Sequence, residues 1–123
     1  MTTDLLYVIS AYQASEAELS CEISYNEQHA IFEGHFPGNP IVPGVCTMQM
    51  IGAMLHKALK LPVMLKGASS IKYLQLIIPG MQPTASITWT LAEGVYNVSA
   101  TLREGAQLLF KMSGSFVDRK SVV

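Results

Sequence analysis

An α+β fold, with a mostly antiparallel sheet packed on one long buried helix, follows from three features of the sequence. Runs of alternating apolar and polar residues lie on both sides of a proline-free segment, Val45 to Lys60, that is rich in helix formers. Pro-Gly and Glu-Gly pairs then punctuate the C-terminal half at hairpin-like spacing. The 123 residues suit a single domain, residues 1–123, whose core needs neither a disulfide nor a metal.

Taken in order, LLYVISAYQ opens the chain with apolar, β-branched and aromatic residues. AELSCEISYN then sets Leu19, Cys21, Ile23 and Tyr25 against Ser20, Glu22 and Ser24, the period of a half-buried strand. From Gly34 to Gly44 the sequence is GHFPGNPIVPG. Its three prolines and three glycines forbid a helix interior and a paired central strand, so a stiff loop is expected.

The helix over 45–60 starts just after Pro43-Gly44 and ends on Lys57 and Lys60, which complement the negative pole of its dipole. Val45, Met48, Ile51, Gly52, Met54, Leu55 and Leu59 cover more than one face, so the helix is expected to be central and buried. Strand-like runs follow Leu61-Pro62: LKGASSIKYLQLIIPG, ASITWTLAEG, VYNVSATLREG and AQLLFKMSGSFV. Separated by Pro79-Gly80, Glu93-Gly94 and Glu104-Gly105, they read as an antiparallel meander.

Composition narrows the function. Half the residues are hydrophobic and 14% are charged, leaving little polar surface, and burial against another subunit is an economical answer. A net charge of −1 without a Lys/Arg cluster argues against a nucleic-acid partner. No apolar run approaches the roughly 20 residues of a membrane span, and Asp4 stands where a signal peptide would be basic; a cytoplasmic protein without a membrane span is expected. Cys21 and Cys46 lack metal-type spacing and read as plain thiols in apolar space. The three histidines are scattered with no framing carboxylates, so neither a metal nor another cofactor is expected. His29 and His56 read as structural.

His35 sits inside the stiff loop, ahead of a helix whose first N–H groups are free and whose dipole end is positive. An imidazole base facing such an oxyanion cradle suits proton removal alpha to a thioester carbonyl. A loop histidine that bonds only a neighbour is the other reading, and spacing alone does not choose between them.

Residues 34–45, GHFPGNPIVPGV, resemble the 3-hydroxyacyl-[acyl-carrier-protein] dehydratases, whose motif is close to G-H-F-P-G-x-P-[IV]-M-P-G-V, with Val42 in place of Met. NEQHAIFEGHF is similar to that family's approach to the histidine. IKYLQLIIPG resembles its R-F-x-x-P-V-x-P-G segment, with Lys72, Tyr73, Pro79 and Gly80 in step. The resemblance spans about residues 26–91, while the family's P-H-R-Y-P-F-L-L lead-in is absent.

The resemblance implies a hot-dog fold, in which an antiparallel sheet wraps a long central helix. It also implies a homodimer or assembly of dimers acting on acyl carrier protein, in fatty acid or related lipid or polyene synthesis. In that carry-over His35 is the catalytic base and the Gly44 N–H binds the thioester oxygen. Phe36, Pro37, Val45 and Tyr73 line the path of the acyl chain. The family's acidic residue, contributed by the partner's helix, falls at Gln49. An amide orients a hydroxyl but has no carboxylic proton to give. The implied activity is dehydration of (3R)-hydroxyacyl thioesters to trans-2-enoyl thioesters. The alternative is an impaired acyl-binding subunit paired with an acid-bearing paralogue. Thioester hydrolysis ranks last, because the helix over 45–60 holds no Asp or Glu.

Overall fold

The computed structural model describes residues 5–33 and 38–121. Six strands and one long helix follow the alternation in the sequence: β1 Tyr7–Ala14, β2 Glu18–Tyr25, α1 Gly44–Leu59, β3 Val63–Tyr73, β4 Thr84–Ala92, β5 Val95–Glu104 and β6 Gln107–Asp118. Short 3-10 turns at Ala30–Phe32 and Arg119–Ser121 complete the described chain. Every strand pairing is antiparallel, in the order β1-β2-β4-β5-β6-β3.

Period two decides which side chains face α1. Leu19, Cys21, Ile23 and Tyr25 of β2 are buried, as are Ile87 and Trp89 of β4 and Val98, Ala100 and Leu102 of β5. They form one core with Met50, Ile51, Met54 and Leu55 of α1 and with Phe110, Met112 and Phe116 of β6. Each large apolar side chain taken from water in this way contributes about 1.5–3 kcal/mol.

Pro43 caps α1 with extended backbone (φ −61°, ψ 143°) and no side-chain hydrogen bond. Lys60 ends the helix in the left-handed region at φ 59°, its N–H bonded to the His56 carbonyl. The burial of α1 differs from the all-round burial expected. Thr47, Met50, Ile51, Met54 and Leu55 are buried, yet Val45 is 63% exposed and Ala53 is exposed, because the sheet of one chain covers one side only.

The meander is corrected in one respect. β4, β5 and β6 are consecutive hairpins. Glu93 and Gly94, at φ 52° and 78°, form the first two-residue turn, and Gly105, at φ 59°, opens the second. Pro79-Gly80 is no hairpin turn, since β3 stops at Tyr73 and the chain crosses the molecule before β4. β3 therefore pairs with β6 and forms one edge of the sheet, with β1 at the other.

Candidate functional site

His35, together with Phe36 and Pro37, lies outside the described residues. The segment that follows them and the connection after β3 meet at the start of α1. The Val42 N–H donates to the Ile77 carbonyl at 2.7 Å, which fixes one segment against the other. One turn away the Tyr73 hydroxyl donates to the Gly44 carbonyl at 3.0 Å. The Tyr73 ring lies so close that a Cβ on residue 44 would stand 2.9 Å from Cζ, so a side chain there would have to push the ring aside. Tyr73 also packs on Phe110, with ring centroids 5.1 Å apart.

α1 begins at this junction, and its first N–H groups lack the usual partner four residues back; that of Cys46 bonds the Pro43 carbonyl instead, at 3.0 Å. Gly44 is the first helical residue, so its N–H is one of those donors. Gly38, Pro40, Ile41, Leu76 and Ile78, from the same two segments, line an apolar cleft of about 710 Å³ together with Glu27. Two stretches distant in sequence, 38–44 and 73–80, are thus held together.

Gln49 is exposed on α1. Five residues beyond Gly44, it stands about 140° around the helix, so one chain does not bring it to the N-terminal pole beside Gly44. It lines a second groove, of about 430 Å³, with Val45, Met48 and residues from the start of β3. Tyr73, by contrast, is joined directly to Gly44.

Other titratable groups divide between structural and spare. His29 caps the 3-10 turn, its Nδ1 accepting from the Ile31 N–H at 3.0 Å. Burial pushes both thiols above their ordinary range; the Cys21 thiol lies 3.9 Å from the Met54 sulfur. For Cys46 that shift opposes the thiolate a helix N-terminus would favour. Among the described residues no three His, Cys, Asp or Glu side chains group as metal ligands. No described helix is long and apolar enough to cross a membrane.

Sequence reasoning missed Tyr25. Its hydroxyl is buried with no hydrogen-bond partner among the described residues, and burial, with lesser contributions from Tyr7 and Cys46, pushes its pKa far up. The alternation in β2 marked it as core; only the folded chain shows that no described residue receives its hydroxyl.

A six-stranded antiparallel sheet packed on one helix is the arrangement of the hot-dog proteins. A family model described as ApeI-like, ApeI dehydratase, matches residues 11–111, and the chain belongs to that dehydratase family. Solved structures agree on the fold. An uncharacterized protein from Erwinia carotovora subsp. atroseptica is 20% identical, with 95% of this chain and 100% of that one covered at a TM-score of 0.73. The dehydratase heterocomplex ApeI:P from Xenorhabdus doucetiae is 17% identical, with 92% and 99% covered at 0.76. Thioesterase superfamily member 2 from Mus musculus is 15% identical, with 92% and 81% covered at 0.67. The same scaffold thus serves more than one chemistry, so the reaction has to be argued from the site.

Proposed function

We propose that the protein dehydrates (3R)-hydroxyacyl thioesters carried by acyl carrier protein, giving trans-2-enoyl thioesters, in the cytoplasm and as part of fatty acid or related lipid or polyene synthesis. The observation that carries this reading is the junction of 38–44 with 73–80 at the first turn of α1, in a chain of the ApeI-like dehydratase family.

In the reaction so read, the His35 imidazole takes a proton from C2 while the Gly44 N–H donates to the thioester oxygen that gains charge. The C3–O bond then breaks, the C2–C3 double bond forms, and the proton held by His35 leaves with the hydroxyl as water. Phe36, Pro37, Val45 and Tyr73 shape the chain's path. Gln49 of a second copy orients the 3-hydroxyl without supplying a proton. The lost acid assistance is worth about 10²–10⁴-fold, so a slow enzyme is expected rather than a dead one.

The second reading is a binding subunit that pairs with an acid-bearing paralogue. Two observations favour it: Gln49 at the acid position, and the pairing named in the Xenorhabdus doucetiae heterocomplex.

Mass spectrometry of a 3-hydroxyacyl thioester incubated with the protein separates the two. His35→Ala should abolish dehydration, and Gln49→Glu should raise it on the order of 10²-fold. A chain inactive alone but active when mixed with an acid-bearing paralogue establishes the subunit reading. If neither substitution alters the rate of an active protein, both residue assignments fall.

A further inference from the structure

On the face of the sheet turned away from α1, small hydroxyl side chains run across four strands, Thr88, Ser99, Ser113 and Ser70 in register. One corner of that face is different. Lys72 of β3 stands directly opposite Lys111 of β6, and Lys111 directly opposite Thr101 of β5. Arg103, two residues beyond Thr101 on the same face, is diagonal to Lys111. All three cations are exposed, and none is bonded or ion paired to a described residue.

Like charges directly opposite one another destabilise a sheet, and the carboxylates placed near this corner by register do not relieve them. Glu104 accepts from the Gln82 N–H at 3.3 and 3.4 Å, and Glu22 lies two strands from Arg103, beyond Thr84. The corner therefore suits a partner that brings carboxylates of its own. Glu18 and Glu22, outward on β2 of the same face, would repel a continuous anion such as nucleic acid or a charged membrane. A compact acidic protein surface is the better complement.

The corner also lies at the right end of the molecule. Lys72 precedes Tyr73, whose hydroxyl reaches the Gly44 carbonyl at 3.0 Å, so the cations and the first turn of α1 share one end of β3. A pantetheine arm spans roughly 17 Å, the length of about five extended residues, and can pass round that end. Pairing along the β3 edge would use its backbone groups and leave these outward side chains free.

We infer that Lys72, Lys111 and Arg103 dock the acidic protein that carries the thioester, whose arm then turns towards Gly44. The inference rests on the reading of the substrate as a carrier-borne thioester.

Dehydration of one 3-hydroxyacyl group, presented on acyl carrier protein and on free pantetheine, tests it. Lys72→Glu with Lys111→Glu should lower kcat/KM for the carrier-borne substrate about tenfold or more, through KM, and change the pantetheine rate less than about twofold. The pantetheine rate also shows that the variant is folded. Arg103→Glu should act in the same direction, and Lys72→Arg with Lys111→Arg should keep the carrier preference. Lys120→Glu, beyond the Asp118 that pairs with the opposite end of β3, should leave both substrates unchanged. Added salt should erase the preference in wild type and have little effect on the reversed variant. An equal loss on both substrates, or none on either, overturns the inference. So does a reversal that alters sedimentation and not KM, which would give the corner to the acidic β2 flank of a second copy. If wild type dehydrates neither substrate, the functional reading falls, and calorimetry with acyl carrier protein decides docking separately: binding abolished by the double reversal upholds it, and binding that is absent or survives overturns it.

Discussion

Tyr25 ends β2 with its hydroxyl buried and unpartnered among the described residues. A polar group left in that state costs about 1–3 kcal/mol, so Tyr25→Phe should be neutral or stabilising by about 1 kcal/mol in urea titrations, where a buried partner would instead give a loss. Alkali adds a second signature. The folded pKa lies above the ordinary value of 10, so the contribution is fully present below pH 10 and is lost as pH rises further. Wild type should therefore lose stability above pH 10 more steeply than Tyr25→Phe. Tyr73 has the opposite character, because its hydroxyl is used. Tyr73→Phe removes the bond to the Gly44 carbonyl, an expected loss of about 0.5–1.5 kcal/mol at a half-exposed position. Gly44→Ala should lose a similar amount by displacing the Tyr73 ring, and thermal melts of the two single variants and the double variant should show them to be non-additive.

At the scale of elements, two glycines hold the β-sheet in its observed form for different reasons. Gly105 sits at φ 59° in the β5–β6 turn, a conformation that Cβ disfavours. Gly105→Ala should cost about 1 kcal/mol without moving the core. Gly114 on β6 faces β3 so closely that a Cβ would stand 2.9 Å from the Gly67 carbonyl oxygen. Backbone cannot swing aside as a side chain can, so Gly114→Ala should cost more, about 1–3 kcal/mol. Denaturant midpoints that rank Gly105→Ala as the more damaging would contradict this account. The two hairpins were readable beforehand from Glu93-Gly94 and Glu104-Gly105. Pro79-Gly80 misled, because the dipeptide marks a change of direction and carries no information on which strand comes next.

For the molecule as a whole, β3 is the unusual surface. It is an eleven-residue edge strand with Met64, Leu65, Ile71 and Tyr73 exposed, next to the open side of α1. Long apolar edges offer unpaired backbone groups to a further strand, and proteins ordinarily blunt or cover them. A second copy, or a paralogue of the same fold, is the occupant expected. Sedimentation should show an assembly that Leu65→Lys with Ile71→Lys weakens at least tenfold; a monomer at all concentrations would remove the shared site on which the role of Gln49 depends. The apolar composition is in keeping with burial against another subunit but does not say which surface it would use.

Local periodicity already located the strands and the helix, since an alternation of two or a spacing of three to four needs only a residue's near neighbours. Of the proline- and glycine-rich segment, residues 38–43 do form a loop ahead of the helix. Folding decided the rest. Strand order placed β3 at the edge beside β6, the Tyr73 hydroxyl reached a carbonyl twenty-nine residues earlier, and the Tyr25 hydroxyl was left without a partner. Each of these depends on distances between residues far apart in the chain, and such distances exist only once the sheet has closed on its helix.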